Sequence, residues 1–181
     1  MGNVTTYAAM LDRERIRPHH VELSYLCGRF MVEHLIRVHA VFGGDILAAV
    51  VLGTIAQHNA RRFYDEVVAK SDEAMDALIA RGEHLPHLRP CNAMSVSMAT
   101  GIPRETVRRK IRWLVQRGWV QQVGRDKLFV TRNVSADFAD FDLETLDRVH
   151  SMTVAMFTTL HKRLGALPVA APLGVARARD A

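Results

Sequence analysis

The chain has 181 residues, of which 49% are hydrophobic and 24% charged, a balance that excludes a disordered polyelectrolyte and allows one core with helical extensions. Its formal charge of +5 is unevenly placed: residues 101–133 carry nine Lys and Arg against Glu105 and Asp126, a local net charge of +7 that leaves −2 for the remainder. A basic segment on a near-neutral body is the footprint of a polyanion binder, whereas a solvated charged face is the plainer reading of the same charges.

The opening Met1–Thr6 fits the myristoylation pattern only loosely, and no charged n-region and apolar h-region of a secretory signal follows. Cys27 and Cys91 stand far apart without a CxxC, which predicts two thiols in a reducing cytoplasm. A short helix is expected near Thr6–Arg15, ended by Pro18, and a long one over His19–Phe42. Glu22, Arg29, Glu33 and Arg37 form one stripe of the long helix, and most of its other positions are apolar, so a partner subunit is needed to cover it. Cys27 in that setting reads as a buried structural thiol.

Gly43-Gly44 breaks the chain before a second helix, Asp45 to about Val68, whose apolar run Ile46–Ala56 is shorter than the ~18 residues of a membrane span. A third helix is expected over Ser71–Ala80, with Ser71 as N-cap and Gly82 beyond its end, followed by a loop from Glu83 to Pro90. His84, His87 and Cys91 have spacings that could ligate a metal, but no fourth ligand accompanies them; neither metal nor cofactor is expected.

Asn92 is placed to cap a helix over Ala93–Thr100 that stops at Gly101, and Pro103 is placed to open another reaching Arg117. Two helices joined by a short Gly-containing turn give helix-turn-helix spacing. Val96, Ala99, Ile102, Val107, Ile111, Leu114 and Val115 are the expected contacts of the pair. On the second helix Glu105, Arg109, Arg112 and Gln116 face away from that stripe, with Thr106 and Arg108 on its flanks. In a B-DNA major groove Arg pairs with guanine and Glu accepts from cytosine N4, which assigns Arg104, Glu105, Arg108 and Arg109 to bases. Thr106, Lys110 and Arg112 are assigned to phosphates. Val120–Val123 and Leu128–Thr131 read as strands of a hairpin whose tip, residues 124–127, offers Arg125 and Lys127 to a flanking phosphate or the minor groove. Trp113 and Trp119 are expected to pack the helix against the hairpin. A last helix, Asp142–Leu164 with Asp142 as N-cap, carries Leu143, Leu146, Val149, Val154, Phe157, Leu160 and Leu164 as an interface. Beyond Pro168 the chain reads as a frayed tail.

The run Gly101-Ile102-Pro103-Arg104-Glu105-Thr106-Val107-Arg108-Arg109-Lys110-Ile111-Arg112-Trp113-Leu114-Val115-Gln116-Arg117-Gly118-Trp119-Val120 resembles the turn, recognition helix and exit of bacterial winged helix-turn-helix regulators. Its place mid-chain between apolar helices is similar to the MarR-like group, and the short wing Gly124–Val130 is more similar to that of GntR-like regulators. The resemblance implies a mainly α fold with a small β-hairpin wing, in which the DNA-binding domain is flanked by dimerisation helices. The corresponding division is an N-terminal helical arm (1–43), a winged helix-turn-helix domain (44–135) with an inserted helix and loop near 63–90, a dimerisation helix (136–167) and a tail (168–181). The implied function is a homodimeric, sequence-specific transcriptional regulator of double-stranded DNA. The alternative is a winged helix used only for protein contacts. An enzyme is not expected, because Gly-rich phosphate loop, HExxH and GxSxG are all missing. No residue pattern identifies a small-molecule effector.

Overall fold

The computed structural model describes residues 13–164. The Met1–Thr6 pattern, the beginning of the first expected helix and the tail from Pro168 lie outside the described residues. The chain is mainly helical with one small antiparallel sheet. Helix α1 (Arg13–Ile16) leads through a 3-10 turn into α2 (His20–Val41), and α3 (Ile46–Glu66), α4 (Met75–Ala80), α5 (Ala93–Thr100) and α6 (Arg104–Gln116) follow. Strands β1 (Val120–Val123) and β2 (Lys127–Val130) precede α7 (Asn133–Asp137) and α8 (Ala139–Leu164). Two compact units result, one of the described residues up to His34 and from Leu143 onward, the other of Leu35–Asp142. No single helix among the described residues is long and apolar enough to cross a membrane.

In the larger unit each element begins where local chemistry directs it. Asp45 follows the Gly43-Gly44 turn and accepts the Ala48 N–H at 3.0 Å, capping α3. Asn92 accepts the N–H groups of Met94 and Ser95, and Ser95 Oγ accepts the Asn92 N–H, a reciprocal capping box for α5. Gly101 ends α5 in the left-handed region, φ 71°, where a Cβ would be strained. Ser97 Oγ donates to the Ile102 carbonyl at 2.7 Å and Thr100 Oγ1 accepts the Ile102 N–H at 3.3 Å, fixing the turn into α6. Pro103 stands at the N-cap of α6 with ψ 135° rather than inside its first turn.

Val107, Ile111 and Leu114 of α6 are buried against Ala48, Val51, Leu52 and Ile55 of α3 and Val96 of α5. Complete burial of one such aliphatic side chain contributes about 1.5–3 kcal/mol, so this stripe sets the roll of α6 and with it the direction of every polar side chain on the helix. Ala99 and Val115, expected in the same contact, are exposed instead. Trp113 and Trp119 meet edge to face at 5.7 Å and pack with Phe42 and Phe138. They therefore join α6 to the end of α2 and the start of α8 within the same core cluster as Val120, Leu128 and Val130 of the hairpin, and the Trp119 carbonyl accepts the Thr131 N–H at 3.0 Å. Trp119 Nε1 donates to Asp137 at 2.7 Å, which satisfies the buried indole.

The hairpin pairs Val120 with Val130 and Val123 with Lys127 around a three-residue tip in which Gly124 takes φ 64°. Gln122 Nε2 holds the tip through the Arg125 carbonyl at 2.8 Å. The outer edge of β2 is occupied as well, because Leu128 N–H donates to the Cys91 carbonyl at 2.9 Å. Asn59 of α3, the buried polar side chain of the core, completes that edge. It donates to the carbonyls of Arg89 (2.6 Å) and Leu128 (3.1 Å) and accepts the Val130 N–H at 2.9 Å.

Three expected boundaries move. The third helix begins at Met75, since Ser71 Oγ accepts the Glu73 N–H and closes a local turn instead of capping a helix. The second strand begins at Lys127 and ends at Val130. The last helix begins at Ala139, and Asp142 lies inside its first turn, its N–H already donating to the Phe138 carbonyl at 2.8 Å.

In the smaller unit, Glu22 pairs with Arg163 and Glu33 with Arg148, each at 3.2 Å, so the α2 and α8 segments run antiparallel. Arg29 also pairs with Glu33 at 3.0 Å, as the stripe predicts. Leu23 and Leu160 are the buried side chains there, while Val21, Tyr25, Val32, Leu143 and Leu146 remain exposed. Cys27 is exposed too, so the burial expected of it is not supplied within one chain, where the apolar circumference of α2 is not covered.

Candidate nucleic-acid interface

Burial of Val107, Ile111 and Leu114 turns Arg104, Glu105, Arg108, Arg109 and Arg112 of α6 to solvent. Arg104, Arg108 and Arg112, spaced by four, line one side of an open groove of about 400 Å³. Arg125 and Asp126 at the hairpin tip and Gln122 of β1 line its other side, and Asn92 and Met94 close its end. Four guanidinium groups thus share one groove with two carboxylates. Glu105 lies between two of them, 3.3 Å from Arg108 and 4.0 Å from Arg112.

Arg109 is exposed outside this lining, on the face of α6 that also presents Gln116. Among the described residues it makes no ion pair. Lys127 is exposed at the start of β2, also outside the groove. Thr106 is half-buried. Lys110, expected to reach a phosphate, is instead turned inward: its ammonium pairs with Asp45 and its side chain is only 15% exposed. Asp45 therefore serves two elements at once, capping α3 and holding the middle of α6. That partnership spans 65 positions of sequence and has no local signal. Gln122 and Met94 are groove residues with no signal in the sequence, and Asn92, marked there only as a helix cap, lines the groove as well.

The three residues with metal-like spacing are used otherwise. His87 Nδ1 lies 3.2 Å from Glu66, the His84 ring sits edge to face on Phe63, and Cys91 is buried beside β2. No cluster of three or more His, Cys, Asp or Glu among the described residues is placed to hold a metal ion. Burial pushes the Cys91 thiol up to about 11, so it is protonated at neutral pH and a poor nucleophile and ligand. A thiol-reactive dye at pH 8 is accordingly expected to leave Cys91 unlabelled in a folded Cys27→Ser protein and to label it after denaturation. Rapid labelling of Cys91 in the folded Cys27→Ser protein would contradict its burial.

A larger open depression of about 940 Å³ follows α3 past Val50, Gln57, Arg61 and Tyr64 to Met75. Its charges are already matched, Arg61 with Asp65 at 3.6 Å, and it gathers no convergent set of like charges. Comparison with family models, with curated proteins and with solved structures finds no match to this chain. The exposed chemistry of α6 and the hairpin is accordingly the ground for a functional assignment.

Proposed function

We propose that residues 92–130 form a winged helix-turn-helix that binds double-stranded DNA sequence-specifically, and that the protein regulates transcription as a cytoplasmic homodimer. The observation that carries this reading is the arginine face of α6, continued across one groove by Arg125 of the hairpin. A helix of 13 residues is about 20 Å long and fits the major groove, where arginine reads guanine. Arg109, pointing away from the core, is assigned to a base edge. The groove geometry favours giving Arg104, Arg108, Arg112 and Arg125 to one phosphodiester strand passing between helix and hairpin, which moves Arg104 and Arg108 from base reading to backbone contact. Lys127 is assigned to a flanking phosphate. Lys110 drops out of the interface because Asp45 holds it.

Dimerisation is supported by the exposed apolar side chains of α2 and α8, since surfaces of that kind mark association sites. A two-fold dimer would place two α6 helices about 34 Å apart on a pseudo-palindromic site. Selection of bound sequences from a random duplex pool at about 150 mM salt, where non-specific binding is weak, tests the reading directly. The wild-type protein is expected to recover a two-fold motif, and an Arg108→Ala/Arg109→Ala protein to recover none. A folded wild type that enriches nothing would overturn DNA recognition in favour of a protein-contact role.

A further inference from the structure

We infer that Glu105 sets the discrimination between specific and non-specific duplex: its carboxylate opposes phosphate at the α6 groove and is accommodated only where a base edge supplies a hydrogen-bond donor. The inference rests on the DNA-binding reading above and adds what separates a cognate site from any other duplex.

Glu105 is the single acidic residue of α6, a helix that carries five Lys and Arg. Its side chain is 74% exposed, so no core contact explains it. It reaches Arg108 one turn along the helix and Arg112 two turns along, and all three side chains border the groove. Exposed ion pairs of this kind contribute little to stability. Their consequence is for ligands: a fixed negative charge stands between two guanidinium groups, where a phosphate would otherwise collect both. A duplex that offers only phosphates must draw Arg108 and Arg112 away from the carboxylate and tolerate its repulsion at close range. A duplex that presents cytosine N4 at the right step gives the carboxylate a donor of its own and frees both arginines together. The other role open to an acid in a first helical turn is a favourable interaction with the helix dipole. That role predicts altered stability with unaltered selectivity, so the two are separable.

The test compares the wild type, Glu105→Gln and Glu105→Gln/Arg108→Ala by fluorescence anisotropy. Each is titrated against the duplex recovered by selection and against a scrambled duplex of equal length, from 0.1 to 0.3 M salt. At 0.1 M salt one added phosphate contact corresponds to about tenfold in affinity and about −0.9 in the slope of log K against log salt. Glu105→Gln is therefore expected to bind the scrambled duplex about tenfold more tightly, with a slope steeper by about one, and the selected duplex no more tightly. Adding Arg108→Ala should remove that gain. A Glu105→Gln protein that keeps the wild-type ratio of affinities, whatever its melting temperature, overturns the inference while leaving DNA recognition intact. A wild type that binds both duplexes equally, or neither, overturns the DNA reading and the role of Glu105 with it.

Discussion

Replacement of Asn59 by alanine is expected to destabilise the protein by about 3–4 kcal/mol, because one amide side chain satisfies three backbone groups at the outer edge of β2 and the neighbouring loop. The Leu128 carbonyl and Val130 N–H point away from β1, and the Arg89 carbonyl lies beside them. Asn59 itself is only 4% exposed, so water has little access to take its place. A buried polar group left without a partner costs about 1–3 kcal/mol, and three of them reach the stated total even when one is resolvated. Asn59→Asp should be no better: a carboxylate can accept from Val130 but cannot donate to two carbonyls, and it introduces a buried charge. Urea unfolding at constant m-value gives the stability change, and hydrogen exchange at the Val130 amide reports whether the β2 edge opens first. A loss below about 1 kcal/mol would mean that the hairpin does not depend on this anchor.

The Asn59 contacts also show where sequence reading stops. His58-Asn59-Ala60 reads as the polar continuation of an apolar helix, and nothing nearby signals that Asn59 meets β2 some seventy residues later. Elements fixed by neighbours were legible. Asn92, Gly101 and the 107/111/114 spacing define α5 and α6 through capping, backbone conformation and period, all within one or two turns. Gly124 marks the hairpin for the same local reason. The start of α8 was not legible, because Asp142 has the chemistry of a cap while Phe138, packed 4.9 Å from Trp119, draws the helix start back to Ala139. Cys27 is a different case: its apolar context implies a cover from a partner subunit, and within the single chain the thiol is exposed.

For the candidate interface the distinction is the same. Periodicity alone identifies the exposed arginines of α6, since the buried stripe fixes the opposite face. It does not tell which arginine shares a groove with the hairpin, because that depends on where Arg125 is carried by β1, β2 and their anchors on Cys91 and Asn59. Nor does it remove Lys110 from the interface, because its partner belongs to the cap of another helix. Local patterns assign residue types to a surface, and long-range contacts divide that surface into the groove arginines, the separately exposed Arg109 and the inward-turned Lys110.

That division has a measurable form. An Arg104→Ala/Arg112→Ala/Arg125→Ala protein removes three guanidinium groups of the groove and leaves Arg109 and the buried stripe of α6 in place. If the groove holds a phosphodiester strand, the slope of log K against log salt should become less negative by about 2.7, and affinity near 0.15 M salt should fall about a hundredfold on every duplex alike. Arg109→Ala should instead leave the slope nearly unchanged and cost about 1–3 kcal/mol on the selected duplex, with the lost preference confined to one base pair. Anisotropy titrations over a salt series, on the selected duplex and its single-base variants, separate these patterns. The reverse outcome, a slope change from Arg109→Ala and altered base preference from the triple variant, would place α6 in the major groove rolled by about one residue step, roughly 100°. Its groove arginines would then read the bases and Arg109 would meet the backbone.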